Sequence, residues 1–111
     1  MRRRPREAAA EWIDTEALQQ RLGDVLLIDV RGPDEFNSPP GHLPGAVNIP
    51  LPELPGRVAY VMACAKPVVL VCKTDRRSAK AAETLLAAGL ADVAILRGGT
   101  DLWHQQGLPL E

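Results

Sequence analysis

One cysteine in this sequence is followed at once by a strongly cationic stretch. Cys72 ends the apolar run 68–71, and an Ala-rich pattern of helical period begins near Ser78. The residues between them include three cations, Lys73, Arg76 and Arg77. The N-terminus of a helix exposes unpaired N–H groups and a partial positive charge, which favour a thiolate and bind anions. The stretch therefore predicts a nucleophilic thiol in an anion-binding loop.

The alternative is that Cys72 is a small apolar residue that closes a buried strand. The adjacent cations and the position between a strand and a helix argue against this interpretation. The second cysteine, Cys64, falls in a helical stretch among apolar residues, and we expect it to be inert. Two cysteines are too few for a disulfide framework, so we expect reduced thiols in a cytoplasmic compartment.

Three short apolar runs must position this loop, and they lie at 25–30, 68–71 and 93–96. None alternates between apolar and polar residues, so each strand should be covered on both faces, as in a parallel sheet. Helical patterns separate the runs, most clearly at 78–88. This alternation predicts an α/β fold with a mainly parallel sheet. In such sheets ligands bind beyond the carboxyl ends of the strands, which is where Cys72 lies.

The totals predict one soluble globular domain. A chain of 111 residues suits a single core, and a net charge of -1 argues against nucleic-acid or membrane partners. No apolar run approaches the roughly 20 residues that span a bilayer. Residues 1–11 are basic without the apolar segment of a signal peptide, so we expect a disordered tail before a domain at 12–111. No metal, nucleotide or flavin motif is present, and we expect no cofactor.

The ordered motifs of the chain resemble those of the rhodanese family of single-domain sulfurtransferases. Asp29-Val30-Arg31 is followed by Glu35-Phe36 and then by the Gly/Pro-rich stretch at 41–50. After these come the cysteine loop, Gly98-Gly99, Trp103, Gly107 and Pro109. The resemblance extends over 12–110. It implies a rhodanese-like fold, with a mainly parallel five-stranded sheet and helices on both faces. It also implies the chemistry of that family.

That chemistry is a transfer of sulfane sulfur from a donor such as thiosulfate, through a persulfide on Cys72, to cyanide or a thiol. The resemblance assigns substrate binding to the rest of the loop, namely Lys73, Thr74, Asp75, Arg76, Arg77 and Ser78. Arg77 would bind the anionic oxygens of the donor. The six residues from Cys72 to Arg77 match the sulfurtransferase loop, whereas related phosphatases have one residue more.

Two functions remain open at this point. The first is an enzyme of the thiosulfate sulfurtransferase type that uses a small anionic donor. The second is a persulfide carrier or docking module that a specific protein partner feeds in a sulfur relay. The three cations favour the first function, and the carboxylate of Asp75 favours the second.

Asp75 stands where many single-domain relatives have glycine. Aspartate tolerates left-handed backbone angles, so the loop can still form, and its carboxylate could cap the helix, pair with Arg76 or repel thiosulfate. Asp29 is either an acceptor that fixes the loop or a turn residue. Arg31 and Glu35 are four apart and are predicted to pair across the turn; the alternative is that Arg31 is a cation at the rim of the site. We expect His42 to pack within its Gly/Pro-rich loop.

Overall fold

All five strands of the sheet run parallel, as the apolar runs predict. The computed structural model describes residues 10–111, and most of the predicted tail, residues 1–9, lies outside them. The strands are β1 (Glu11–Ile13), β2 (Leu26–Asp29), β3 (Val47–Asn48), β4 (Val68–Val71) and β5 (Val93–Leu96). Across the sheet their order is β1-β5-β4-β2-β3. The strand that leads to Cys72, β4, is therefore the central strand.

Within the described residues, four α-helices connect these strands and a fifth follows β5. They are α1 (Thr15–Gln19), α2 (Pro33–Asn37), α3 (Val58–Cys64), α4 (Arg76–Ala87) and α5 (Gly99–Gln105). Two 3₁₀ segments, Leu22–Asp24 and Leu51–Arg57, complete the connections. Helix α4 begins two residues before the expected start at Ser78, so Arg76 and Arg77 belong to its first turn. The polar segment between β4 and α4 is correspondingly shorter than predicted.

Two separate apolar clusters cover the two faces of the sheet. Successive side chains of a strand point to opposite faces, so Leu70 joins one cluster and Val71 joins the other. The first cluster receives Leu85 from α4, and the second receives Leu18 from α1 and Trp103 from α5. Helices therefore flank both faces, which confirms the predicted α/β architecture. Across residues 10–111, no helix combines the length and apolar character that a membrane crossing requires.

Candidate functional site

Cys72 lies directly after the central strand, with its sulfur held against the first turn of α4. Its side chain is almost fully buried, with 1% exposed. The backbone N–H of Ser78 donates to the Cys72 Sγ over 3.4 Å, and the Ser78 Oγ lies 3.4 Å from the same sulfur. The Ser78 hydroxyl is also within 3.2 Å of the Asp75 carbonyl oxygen. The sulfur therefore has two potential donors from one residue.

The loop after Cys72 is held from the other side by the N-terminus of α5. The N–H of Thr100 donates to the Cys72 carbonyl over 2.9 Å, and the N–H of Asp101 donates to the Lys73 carbonyl over 3.0 Å. Two N-terminal amides of α5 thereby find acceptors, which a helix of this kind otherwise lacks. The loop and α5 form one connected unit.

Gly99 allows this close approach. A Cβ at this position would overlap the carbonyl oxygens of Cys72, Lys73 and Thr74, and the backbone has a φ of +58°. These three carbonyls therefore face α5. Because each trans peptide is planar, with its N–H opposite its carbonyl, the N–H groups of Lys73, Thr74 and Asp75 face away from α5. The loop thus presents a series of amides on the side opposite Gly99.

Two of the three predicted cations are engaged in ion pairs. The Lys73 Nζ lies 2.9 Å from an Asp101 carboxylate oxygen, and both side chains are more than half exposed, at 60% and 52%. The Arg77 guanidinium makes two bonds to the Glu35 carboxylate, of 2.6 and 3.0 Å. Arg76 is exposed and has no ion pair with any residue in the range 10–111. The local charge is therefore much less positive than the sequence predicts.

The ion pair of Glu35 and Arg77 changes the properties of both groups. The hydrogen bonds from Arg77 are the main reason that the pKa of Glu35 falls from 4.5 to about 2. The Gly32 N–H, which donates to Glu35 Oε1 over 3.3 Å, acts in the same direction. The hydrogen bonds from Glu35 in turn raise the pKa of Arg77. Both groups are charged throughout the neutral range.

The predicted pair of Arg31 and Glu35 is wrong. Arg31 instead folds back on Asp29, with its Nε 3.0 Å from Oδ1 and its Nη2 2.8 Å from Oδ2. Its Nη2 also donates to the Gly41 carbonyl over 3.0 Å. Asp29 is fully buried and also accepts the Arg31 backbone N–H. This arrangement favours the turn role for Asp29, since its carboxylate organises the bend that follows β2.

Asp75 adopts none of the bonded roles considered for it. Its φ is -152°, outside the left-handed region, so the backbone does not require glycine here. It occupies the position before α4, yet its carboxylate makes no capping bond and no ion pair with residues 10–111. His42 packs as expected, stacked on the Phe36 ring at 3.7 Å, with its Nδ1 2.9 Å from the Phe36 carbonyl oxygen.

An open cleft of about 450 Å³ lies next to the loop. Helix α2 contributes Asp34 and Glu35 to its lining, the loop contributes Lys73, and α5 contributes Asp101 and His104. Cys72 lies below this surface and does not line the cleft. No group of three or more histidine, cysteine or acidic side chains in the described part of the chain is placed to hold a metal ion.

Comparison with known proteins gives one consistent result. The model of the rhodanese-like domain family matches residues 14–106. A sulfurtransferase of Allochromatium vinosum is 38% identical over 101 residues, which cover 88% of this chain and 92% of that protein. The thiosulfate sulfurtransferase GlpE of Shewanella oneidensis is 34% identical over 84 residues, covering 73% and 77% of the two chains. The structure of a human single-domain sulfurtransferase superposes with a TM-score of 0.75 at 26% identity, covering 88% and 98%.

Proposed function

Because the chain belongs to the rhodanese-like domain family, we propose that it transfers sulfane sulfur through a persulfide on Cys72. The observation that carries this proposal is the position of the Cys72 sulfur, at the end of the central strand and 3.4 Å from the Ser78 N–H. A donor in this position stabilises negative charge on sulfur. The outward amides of Lys73, Thr74 and Asp75 would surround an added sulfur atom. In this proposal Arg76 and Arg77 supply the cationic side of the substrate site.

The first half-reaction loads the cysteine. The Cys72 thiolate attacks the outer sulfur of thiosulfate, a new S–S bond forms, and the original S–S bond breaks. Sulfite leaves with the bonding electron pair, and the enzyme retains a persulfide anion. The negative charge of the persulfide lies mainly on its outer sulfur, where the outward amides of Lys73, Thr74 and Asp75 would stabilise it.

The second half-reaction restores the thiolate. A cyanide ion or an acceptor thiolate attacks the outer sulfur of the persulfide and breaks its bond to Cys72 Sγ. The bonding electrons return to Cys72, and the product is thiocyanate or an acceptor persulfide. A covalent intermediate shared by two substrates predicts ping-pong kinetics.

A persulfide carrier fed by a protein partner is the second candidate function. It is supported by the ion pairs that occupy Lys73 and Arg77, since a paired cation attracts a free dianion less than an unpaired cation does. The Asp75 carboxylate, which has no bonded partner among residues 10–111, supports it further. A carrier would load readily from a persulfide donor and only slowly from thiosulfate.

The test is the intact mass of the protein after incubation with each donor. We expect thiosulfate, and more rapidly an organic persulfide, to add about 32 Da, and dithiothreitol to remove it. Cys72→Ser should abolish the addition because it removes the nucleophile. Cys64→Ser is the matched control and should load normally, since Cys64 ends α3 before the start of β4, whereas Cys72 follows the end of β4.

An unchanged mass with both donors would contradict sulfur transfer through this protein. Loss of loading in Cys64→Ser with retention in Cys72→Ser would contradict the assignment of the nucleophile. Equal loading rates from thiosulfate and from the organic persulfide would contradict the carrier and leave the thiosulfate-using enzyme.

A further inference from the structure

Glu35 is the one acidic side chain of α2 that bonds directly to the cysteine loop's helix. Its two carboxylate oxygens accept hydrogen bonds from Arg77 Nη1 and Nη2, over 2.6 and 3.0 Å. The Gly32 N–H donates to the same carboxylate over 3.3 Å. The partners are 37% and 40% exposed, so the pair lies at the surface of the site. This bidentate arrangement uses the end of the guanidinium formed by Nη1 and Nη2. A substrate anion that binds this end of Arg77 would compete with Glu35.

Arg77 is also electrically coupled to Cys72. A charge on the Cys72 sulfur contributes to the raised pKa of Arg77, after the larger effect of the Glu35 hydrogen bonds. Because the pKa of Glu35 is about 2, the carboxylate remains ionised wherever the thiolate is present. Any anionic donor that approaches Cys72 must consequently displace Glu35 from Arg77 or bind beside a neutral pair.

We propose that Glu35 is a positioning residue that sets donor preference, by holding Arg77 and so disfavouring dianionic donors relative to donors of lower charge. This inference rests on the proposed sulfur transfer. Thiosulfate carries two negative charges, whereas an alkanethiosulfonate anion or the anion of an organic persulfide carries one. The electrostatic gain from a freed Arg77 is larger for the dianion. The substrate class that the wild-type site favours is therefore the singly charged sulfur donor.

The first test does not depend on sulfur transfer. Cys72 is alkylated in a Cys64→Ser background with the anion iodoacetate and with neutral iodoacetamide, and the ratio of the two rates is measured. In Glu35→Gln we expect the ratio of the iodoacetate rate to the iodoacetamide rate to rise about fivefold. This is the effect of one unpaired positive charge near the thiolate in a largely aqueous setting. Glu83→Gln is the matched control, since it removes the same charge from an exposed position on α4.

The second test uses kinetics. In Glu35→Gln we expect the KM for thiosulfate to fall about fivefold, with kcat within about twofold and a smaller change for methanethiosulfonate. The double variant Glu35→Gln/Arg77→Gln should return the alkylation ratio to near the wild-type value, because the gain acts through Arg77. Circular dichroism confirms that each variant is folded, and Glu35→Asp provides a second variant that retains the charge.

Three outcomes overturn the inference. An unchanged alkylation ratio in Glu35→Gln shows that the bond to Glu35 does not weaken the attraction of Arg77 for an incoming anion. A higher KM for thiosulfate shows that Glu35 instead prepares Arg77 for the donor. A double variant that keeps the gain shows that Glu35 acts through another group. If no donor loads Cys72 but the alkylation ratio rises as expected, sulfur transfer fails as the function while the role of Glu35 in screening Arg77 stands.

Discussion

At the scale of single residues, Ser78 contributes two different groups to the sulfur of Cys72. Its backbone N–H is fixed by the first turn of α4, whereas its hydroxyl proton can point either to the sulfur or to the Asp75 carbonyl oxygen. Ionisation of the thiol removes a donor and creates a strong acceptor, so the hydroxyl would turn toward the sulfur. Ser78 thereby adjusts to the charge of the sulfur without movement of the backbone.

Ser78→Ala separates these two groups, because it removes the hydroxyl and keeps the amide. Hydrogen bonds to charged groups contribute about 1.5–3 kcal/mol, so we expect alkylation of Cys72 by iodoacetamide at pH 7 to slow about tenfold. The alkylation rate of Cys64 in the same sample serves as the internal control and should not change. Equal Cys72 rates in the variant and the wild type would show that the amide alone supports the sulfur.

At the scale of secondary-structure elements, the site depends on the contact between the cysteine loop and the N-terminus of α5. The carbonyls of the loop turn toward Gly99 and the amides of α5, and this leaves the amides of the loop on the opposite side. The orientation of the anion-binding groups thus depends on a helix that contributes no side chain to the sulfur. This explains why a glycine in the final third of the chain is structurally linked to Cys72.

Gly99→Ala tests this link. The new methyl group would overlap three loop carbonyls and require a left-handed backbone, so we expect a loss of about 2–4 kcal/mol in the free energy of unfolding. The folded variant should also load sulfur more slowly. Gly23→Ala is the control, because a Cβ there meets nothing within 4 Å, and its effect should stay within about 1 kcal/mol. Urea unfolding followed by tryptophan fluorescence, with Trp103 buried in the core, measures both.

At the scale of the whole molecule, the pair of Arg77 and Glu35 joins elements that are distant in the chain. The two residues are separated by 42 positions, and they connect α4, which covers one face of the sheet, to α2, which follows β2 in the chain. The pKa of Glu35 is about 2 in the folded protein and near 4.5 without these contacts. The folded state therefore binds fewer protons than the unfolded state between these pH values, and stability falls as the pH drops through them.

We expect Glu35→Gln to unfold with a free energy about 1 kcal/mol below that of the wild type at pH 7, a value reduced by solvent screening at this partly exposed pair. The difference should be constant above about pH 5 and should shrink as the pH falls from 4.5 toward 2. Urea titrations at pH 7, 4 and 3 measure it. A difference that persists undiminished at pH 3 would assign the effect to packing rather than to the ion pair.

Much of the fold could be predicted because its signals are local. Continuous apolar runs identified β2, β4 and β5, and a polar loop after β4 located Cys72. The Arg31–Glu35 pair was wrong for a physical reason, since the i, i+4 relation holds only within a helix. Arg31 precedes α2, which begins at Pro33, and the bend directs its side chain back to Asp29.

The charge of the site could not be predicted from the loop alone. The partners of Lys73 and Arg77 are Asp101 and Glu35, and neither lies near the loop in sequence. Only the folded chain brings α2 and α5 to the two sides of the loop. The predicted start of α4 at Ser78 is two residues late, because arginine is a good helix former and both Arg76 and Arg77 belong to the first turn.

The burial of Cys72 has a consequence for how reagents reach its sulfur. With only 1% of Cys72 exposed, we expect a reagent to reach its Sγ only when the loop moves. Helix α5 bonds to that loop on one side, and the Ser78 N–H of α4 bonds to the Cys72 Sγ on the other. Alkylation of Cys72 by increasing amounts of iodoacetamide should then approach a maximum rate, which equals the rate of loop opening. The backbone of the loop, rather than the reagent, would then set how fast Cys72 reacts.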